Sequence, residues 1–293
     1  MIKTNSLKAW LLAARPKTLT GALVPVAIAL SLAWRDASES FLWTPAVLCL
    51  CFACMMQIDA NLVNDYFDYV RGIDRDDRLG PERACAQGWV SIAAMKKALI
   101  VVTILSALIG LPLVAWGGWS MLLVGAACLV FCYLYTTLLS GKAMGDVLVL
   151  VFFGWVPVCV TYYLQTGTIT TDCLLLSTGC GLAIDNLLVI NNFRDRDTDK
   201  KHGKITLITL IGERMALRLY YTLGLLAIVL MLCVCIPLSF LSIVLSICYV
   251  TMVFVCYNKM KTIHHGRELN KVLGLTSMSI LLYGITVCVA LLF

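Results

Sequence analysis

Apolar segments long enough to cross a lipid bilayer recur along almost the whole chain. A bilayer core of about 30 Å requires about 20 apolar residues in an α-helix, and windows of about 19 residues find nine such segments here. They lie near residues 18–34, 42–63, 98–116, 119–139, 144–164, 171–192, 215–236, 238–257 and 272–292. We therefore predict an all-α polytopic membrane protein with nine transmembrane helices, forming a single domain over residues 1–293.

The composition excludes an ordinary water-soluble domain, since 60% of the 293 residues are hydrophobic and only 14% are charged. The 14 cysteines are scattered mostly through the apolar segments. Cys51 and Cys54, for example, lie one helical turn apart inside a hydrophobic run. Such cysteines are typical of packing rather than of a metal site or a disulfide framework.

Positive charge is concentrated on one side of the predicted membrane. Of the 23 Lys and Arg residues, 22 lie on the same side as the N-terminus, before the first apolar segment or in or next to every second loop. Arg35 is the exception. Cytoplasmic loops carry this excess. We therefore predict that the N-terminus is cytoplasmic and the C-terminus lies on the opposite side. The net charge of +6 then reflects membrane orientation and not nucleic-acid binding.

Acidic residues cluster twice on the predicted cytoplasmic side. Of the 17 acidic residues, 12 lie within residues 59–82 or 185–213, and polar loops are predicted at 64–97 and 193–214. In each cluster, carboxylate and amide side chains recur with the spacing of one helix face. These side chains are Asn61, Asn64, Asp65 and Asp68 in the first cluster, and Asn191, Asp195 and Asp199 in the second.

Carboxylates this close repel one another, and the repulsion grows near a low-dielectric membrane. A divalent cation removes it, and Mg²⁺ is usually bound by a few carboxylates together with oxygens of a substrate phosphate. Lys and Arg residues flank both clusters and suit the outer phosphate oxygens. The clusters therefore predict a site for a metal–diphosphate complex. A solvated loop is the alternative, but it gives no reason for acids to cluster twice at helix ends.

Both clusters resemble the aspartate-rich motifs of the UbiA superfamily of intramembrane aromatic prenyltransferases. The first motif is NDYFD at 64–68 with Asp74, and the second is DRDTD at 195–199. Within the superfamily, residues 77–84 are similar to 1,4-dihydroxy-2-naphthoate polyprenyltransferases of menaquinone biosynthesis. The resemblance covers nearly the whole chain. It implies nine helices around a central cavity, in the cytoplasmic (inner) membrane of a bacterium.

This resemblance implies an enzyme that uses Mg²⁺ to transfer a polyprenyl chain from its diphosphate to 1,4-dihydroxy-2-naphthoate. Diphosphate and carbon dioxide are released, and demethylmenaquinol is formed. The alternative acceptor is 4-hydroxybenzoate or another aromatic acid. A cavity open to membrane lipid suits such a donor, because bringing each CH₂ of the chain into water costs about 0.8 kcal/mol. The sequence predicts neither the prenyl length nor the oligomeric state.

Roles for individual side chains follow from the resemblance together with the spacing. The metal ligands are predicted to be Asn64, Asp65, Asp68, Asp74, Asn191, Asp195 and Asp199, and Asp65, Asp68, Asp195 and Asp199 are the catalytic acids among them. Arg78, Arg83 and Lys204 are predicted to bind the diphosphate, and Lys142, Arg15 and Lys17 the acceptor carboxylate. Positive-inside charge alone is the alternative for those last three.

Tyr135 is the remaining predicted catalytic residue, because an aromatic face stabilises a developing carbocation. Packing or interfacial anchoring is its alternative role. Two further acids, Asp59 and Asp185, lie within apolar runs, where acids are costly and usually paired or functional. We expect Asp59 to meet a partner on a neighbouring helix, and Asp185 to extend the cavity wall. A short helix starting at Pro81 is expected to lie over the site.

Two other classes of membrane protein carry intramembrane acids. A transporter would have them near the bilayer midplane and would contain broken helices in paired positions. A CDP-alcohol phosphotransferase would hold its acids on one compact motif, whereas Asp68 and Asp195 are 127 residues apart. A purely structural membrane subunit explains neither motif. The pattern therefore favours a prenyltransferase over these alternatives.

Overall fold

A computed structural model describes residues 2–73 and 78–293. Apart from one isolated bridge between Lys142 and Ile205, the described residues form helices, turns and loops. The α-helices are α1 (Leu7–Ala14), α2 (Thr20–Ala37), α3 (Trp43–Val70), α4 (Ile92–Gly110), α5 (Val114–Gly117), α6 (Ser120–Leu134), α7 (Gly145–Val149), α8 (Val156–Thr166), α9 (Thr171–Lys201), α10 (Leu207–Cys235), α11 (Phe240–Ile263) and α12 (Leu269–Leu292).

The prediction of nine spans is confirmed in the part of the chain that the structure describes. Nine helical segments there are long and apolar enough to cross a membrane, so the chain is an integral membrane protein. The short connections fall where the sequence divides the apolar runs: at Gly118, at residues 140–144 and at Pro237. Gly118 has a φ of 71°, a conformation that glycine adopts without steric cost.

Both acidic motifs lie on helices rather than in the loops predicted at 64–97 and 193–214. The helix α3 continues to Val70 and α9 continues to Lys201, so the connecting segments cover only residues 71–91 and 202–206. Hydropathy detects the apolar part of a helix, and both helices continue beyond that part into a stretch rich in Asp and Asn. The chain after Pro81 forms turns and not the expected short helix.

The helix α9 forms the centre of the bundle and contacts α2, α7, α8, α10 and α12. Small residues permit its close approach to the segment before α8. A Cβ on Gly154 would lie 2.6 Å from the carbonyl oxygen of Ser177, and a Cβ on Gly181 would lie 3.1 Å from the Cα of Leu150. Glycine at these positions lets the two backbones pack directly, as in many membrane helix pairs.

The helix α6 contains no fully buried residue, although it contacts α3 and α4. It runs into a π-helical stretch at Tyr135–Leu139, and a second π-helical stretch at Leu150–Trp155 connects α7 to α8. Such stretches are rare and frequently occur at functional sites. Both contribute residues to the cavity described below, including Tyr135 and Phe152.

Candidate active site

One cavity joins the two acidic motifs. It has a volume of about 850 Å³ and is lined by the C-terminal parts of α3 and α9. Asn64 and Asp68 contribute from α3, and Asn191, Asp195 and Asp199 contribute from α9. Two motifs far apart in sequence therefore form walls of one chamber.

Away from the motifs, the cavity extends deep into the apolar bundle. Cys49 and Asp68 both line it; they are 19 residues apart on α3, which corresponds to about 28 Å along the helix axis. This length approaches the thickness of the bilayer core. Val26, Cys49 and Leu113 line the far part and belong to one hydrophobic cluster. The cavity can thus hold a ligand with a polar head and a long apolar chain.

Arg83 ties the first motif together. Its Nη2 lies 2.6 Å from Oδ2 of Asp68, and its Nη1 donates a hydrogen bond to the backbone carbonyl of Asn64. The amide oxygen of Asn64 accepts a hydrogen bond of 2.6 Å from Thr136 Oγ1. Arg83 is 7% exposed and lines the cavity. The motif therefore presents a carboxylate, an amide and a guanidinium to the same space.

Asp65 differs from its predicted role as a metal ligand. It is completely buried and is not among the residues that line the cavity. Its two carboxylate oxygens accept hydrogen bonds of 2.9 Å from the backbone N–H groups of Ala84 and Cys85, and Oδ2 lies 3.9 Å from Nη2 of Arg15. Asp65 thus anchors the chain segment that positions Arg83. Helix spacing could not reveal this, because the partners come from the following loop.

We expect Asp65→Asn to lower stability by at least about 1.5 kcal/mol, since an amide cannot accept both backbone hydrogen bonds with two oxygens. Its activity should fall without recovery at high Mg²⁺, because the defect lies in the position of Arg83. Thermal unfolding in detergent and a Mg²⁺ titration of diphosphate release measure these effects. A variant of normal stability with greatly weakened Mg²⁺ dependence would restore Asp65 as a ligand.

The second motif is organised around a buried guanidinium. Arg194 is 2% exposed, and its Nε and Nη2 donate to the two carboxylate oxygens of Asp195 at 2.8 and 2.6 Å. Nη2 also donates to Asn191 Oδ1 at 2.7 Å, and Nη1 donates to Asn270 Oδ1 at 2.8 Å. Asn270 in turn donates to the carbonyl of Leu79 at 2.8 Å. This chain of contacts links α9, α12 and the loop after the first motif.

Asp199 keeps one oxygen available. Its Oδ1 lies 3.5 Å from Nζ of Lys204, whereas Oδ2 is buried and has no hydrogen-bond partner among the described residues. Unsatisfied buried oxygens are costly. This oxygen, which belongs to a residue lining the cavity, is therefore a candidate ligand atom.

The predicted cationic residues divide into two groups. Arg15, Arg78, Arg83 and Lys204 line the cavity, whereas Lys17 and Lys142 are not among its lining residues and are exposed. Lys142 instead pairs through its backbone with Ile205. These two lysines therefore do not fit the predicted role of acceptor binding.

Arg71, for which no specific role is predicted from the sequence, also lines the cavity. It donates to the carbonyls of Thr136 and Thr137 at 3.3 and 2.7 Å. These bonds attach the end of α3 to the first π-helical stretch. Tyr135 from the same stretch lines the cavity, in agreement with the expected position of its ring. Asp74 lies outside the described residues.

The donor set fits magnesium when a substrate phosphate is counted as part of the site. The described residues contain no group of three His, Cys, Asp or Glu side chains close enough to form a metal site by themselves. Mg²⁺, however, commonly uses one or two carboxylates, water and substrate phosphates. Asp68, Asp195, Asp199 and the amides of Asn64 and Asn191 offer oxygen atoms of this kind, including the unpartnered Oδ2 of Asp199.

The two intramembrane acids lie at different positions. Asp59 accepts a hydrogen bond of 2.9 Å from Thr103 on α4, which confirms the expected partner on a neighbouring helix. Asp185 is 5% exposed and lies behind the cavity lining, to which its neighbours Ile184 and Leu188 contribute. It therefore does not form part of the wall itself, contrary to expectation.

The fold and cavity define a polytopic membrane protein with one acid-lined chamber. The profile of the UbiA prenyltransferase family matches residues 22–291. The chain therefore belongs to the UbiA prenyltransferase family, in agreement with its two motifs.

Relatives in several bacteria are similar over most of their length. A 1,4-dihydroxy-2-naphthoate octaprenyltransferase of Escherichia coli K12 is 38% identical over 223 residues, which cover 72% of this chain and 71% of that protein. A 1,4-dihydroxy-2-naphthoate octaprenyltransferase of Mycobacterium tuberculosis is 33% identical over 97% of both chains. These two sequences share the family, and one of them aligns along nearly the entire chain.

Solved structures share the same fold. A UbiA homolog from Aeropyrum pernix K1 superposes with a TM-score of 0.67 at 17% identity, covering 91% of this chain and 96% of that one. A UbiA homolog from Archaeoglobus fulgidus bound to DMAPP and Mg²⁺ superposes with a TM-score of 0.61 at 16% identity, covering 95% and 98%. The prediction of a nine-helix membrane prenyltransferase fold is thus confirmed.

Proposed function

We propose that this protein transfers a polyprenyl chain from its diphosphate to 1,4-dihydroxy-2-naphthoate, in the menaquinone pathway. The observation that carries this proposal is a single cavity with two Asp/Asn motifs at one end and an apolar depth of about 28 Å. The acceptor is supported by the relatives from E. coli and M. tuberculosis. In the reaction, the C–O bond to diphosphate breaks, and a bond forms to the ring carbon that carries the carboxylate. Carbon dioxide then leaves from that carbon.

Asn64, Asp68, Asn191, Asp195 and Asp199 would hold magnesium. Bound there, magnesium supplies positive charge that stabilises the departing diphosphate. The assignment of the metal depends on this donor set, and Asp74, which lies outside the described residues, stays a predicted sixth ligand.

The cationic side chains act on the same leaving group. Arg78, Arg83 and Lys204 line the cavity beside the acids and would bind the outer phosphate oxygens. Arg71 would bind the same oxygens, because it also lines the cavity. Preorganised donors of this kind stabilise charge as it develops, which lowers the barrier to ionisation.

The prenyl cation and the acceptor would meet near Tyr135. The ring of Tyr135 lines the cavity, and an aromatic face stabilises a cation by about 0.5–2 kcal/mol. Arg15, which also lines the cavity, would bind the acceptor carboxylate. Burial in the bundle excludes water from the cation, which otherwise would be captured as the prenyl alcohol.

We also propose that the site faces the cytoplasm of a bacterium, with the protein in the inner membrane. The support is the asymmetry of Lys and Arg, all but one of which lie on or near the motif side. The C-terminus after α12 would then lie on the opposite side.

An acceptor panel tests the proposed function. Purified protein in detergent receives octaprenyl diphosphate, Mg²⁺ and either 1,4-dihydroxy-2-naphthoate or 4-hydroxybenzoate, and products are identified by mass. We expect a product from the naphthoate that has lost carbon dioxide. A product from 4-hydroxybenzoate alone would establish the alternative acceptor. Ion transport by reconstituted protein without any prenyl transfer would favour the transporter.

The apolar depth predicts a chain-length effect. Gly125 on α6 lines the cavity, and a Cβ there would meet no atom within 4 Å. Gly125→Trp should place an indole in the path of a long chain. We expect kcat/KM for octaprenyl diphosphate to fall at least about 10-fold, since each methylene kept from an apolar site loses about 0.8 kcal/mol. The value for geranyl diphosphate should change little.

Leu123→Trp is the matched control, because Leu123 is on the same helix and 76% exposed. Both variants are assayed with both donors. Equal losses for the short and long donors in Gly125→Trp would show that this part of the cavity does not hold the distal chain.

A further inference from the structure

Asp146 is a cavity residue that neither motif includes. It is the second residue of α7 and lines the same cavity as the motifs. Its Oδ1 is buried and has no hydrogen-bond partner in the described part of the chain. An acid in the first turn of a helix ordinarily stabilises the helix dipole, which is why the sequence alone gave no reason to assign it a role.

A second acid lies behind it. Asp185 on α9 is 5% exposed, and its Oδ1 also lacks a hydrogen-bond partner among the described residues. The helix α7, which carries Asp146, packs against α9, which carries Asp185. Around Gly145 the elements pack tightly, since a Cβ there would lie 2.9 Å from Leu188 and 3.8 Å from the Tyr135 hydroxyl.

Burying two carboxyl groups without a cation beside them costs folding free energy, so their presence calls for a functional reason. Buried acids without a cationic partner are rare within membrane spans and are usually functional. Neither Asp146 nor Asp185 forms an ion pair in the described residues, whereas Asp68, Asp195 and Asp199 all have a cation within 4 Å. The pair is therefore distinct from the acids assigned to magnesium and diphosphate.

The proposed reaction leaves one task unassigned. A phenolic ring attacks a carbocation far more readily when its hydroxyl proton has been removed, and a positioned carboxylate can remove it. We propose that Asp146 is this general base, with Asp185 behind it as a positioning residue; the inference rests on the proposed function. Asp185 lies on α9, against which α7 packs, so a change at Asp185 acts on the reaction through the position of Asp146.

Protons and electrons balance when Asp146 acts as the base in this reaction. The acceptor O–H bond breaks, its proton moves to Asp146, and its electron pair enters the ring. The ring carbon forms the new C–C bond with the prenyl cation, and the C–CO₂ bond then breaks, returning an electron pair to the ring oxygen. Asp146 gives the proton back to that oxygen. In total, the prenyl group takes the place of the ring carboxylate, which leaves as carbon dioxide, and the enzyme is unchanged.

The test separates ionisation of the donor from attack by the acceptor. Asp146→Asn, Asp146→Glu and Asp185→Asn are compared with Asp59→Asn, a buried acid outside the cavity lining. Two rates are measured with Mg²⁺ and geranyl diphosphate: slow diphosphate release without acceptor, and formation of prenylated naphthoate. Wild-type protein is assayed first, so that failure to prenylate any acceptor is recognised as failure of the proposed function.

We expect Asp146→Asn to lower prenylated product at least about 100-fold while acceptor-independent diphosphate release stays within about threefold. Asp146→Glu should recover part of the loss, and Asp185→Asn should cause a smaller one. Prenylation by Asp146→Asn should also rise with pH as the acceptor ionises in solution. Asp185 on α9 and Tyr135 in the first π-helical stretch are titratable groups on elements that pack against α7.

Two results would overturn the proposal. One is prenylation by Asp146→Asn at more than a third of the wild-type rate. The other is an equal loss of both rates, which would assign Asp146 to diphosphate departure. If Asp146→Asn does not fold, the two rates are compared in Asp146→Glu and Asp185→Asn instead. An equal loss of diphosphate release and of prenylation in these variants would also overturn the proposal.

Discussion

Replacing Asp199 by Asn should reduce Mg²⁺-dependent diphosphate release at least about 1000-fold, a loss of about 4 kcal/mol in transition-state stabilisation. Asn has nearly the same shape, so packing in α9 is preserved. The variant loses the negative charge beside Lys204 and one of the two carboxylate oxygens, and Oδ2 is the atom without a partner in the described structure. We therefore expect the effect to appear in catalysis and not in folding.

The matched control for this experiment is Asp197→Asn. Asp197 lies two residues earlier on the same helix, but its side chain is 72% exposed, and it is not among the residues lining the cavity. Its activity should remain within about twofold of wild type. Diphosphate release is measured over a range of Mg²⁺ concentrations, together with thermal unfolding. Comparable activities for the two variants would remove Asp199 from the metal site.

The sequence predicted the membrane-spanning segments well because long apolar runs have one stable solution in a bilayer. Each run must satisfy its own backbone hydrogen bonds, and loops such as that at Gly118 are confined to the interfaces. The motif regions were harder to divide, since helix α3 continues to Val70 through a stretch in which Asn64, Asp65 and Asp68 interrupt the apolar run.

The sequence could not predict which groups each acidic side chain contacts. Asp65 and Asp68 have the same chemistry and lie three residues apart, yet one binds backbone N–H groups of a loop and the other faces the cavity. Asp146 lies next to an apolar run with no motif around it, and only the packing of α7 against α9 brings it near Asp185. These distinctions depend on tertiary contacts between distant segments.

Removal of the Arg194 guanidinium should have the second large effect. In Arg194→Met, Asp195 loses its bidentate partner, and Asn191 and Asn270 each lose a donor. Breaking a buried ion pair from one side typically costs about 3–5 kcal/mol. We expect a clear fall in the midpoint of thermal unfolding, together with a loss of diphosphate release of at least about 100-fold, because Asp195 lies at the cavity.

Arg194→Lys should not restore activity, since an ammonium cannot reproduce two parallel bonds to a carboxylate. Arg218→Met is the control, because Arg218 is exposed on α10 and should change neither measurement.

Asn270→Ala separates the two consequences of losing Arg194. It removes the link from Arg194 to the carbonyl of Leu79 but leaves the ion pair with Asp195 in place. If the guanidinium serves to hold the loop after the first motif against α9, this variant should raise KM for the prenyl diphosphate while keeping most of the stability. An unchanged KM would mean that the contribution of Arg194 is confined to the second motif, where it neutralises and orients Asp195.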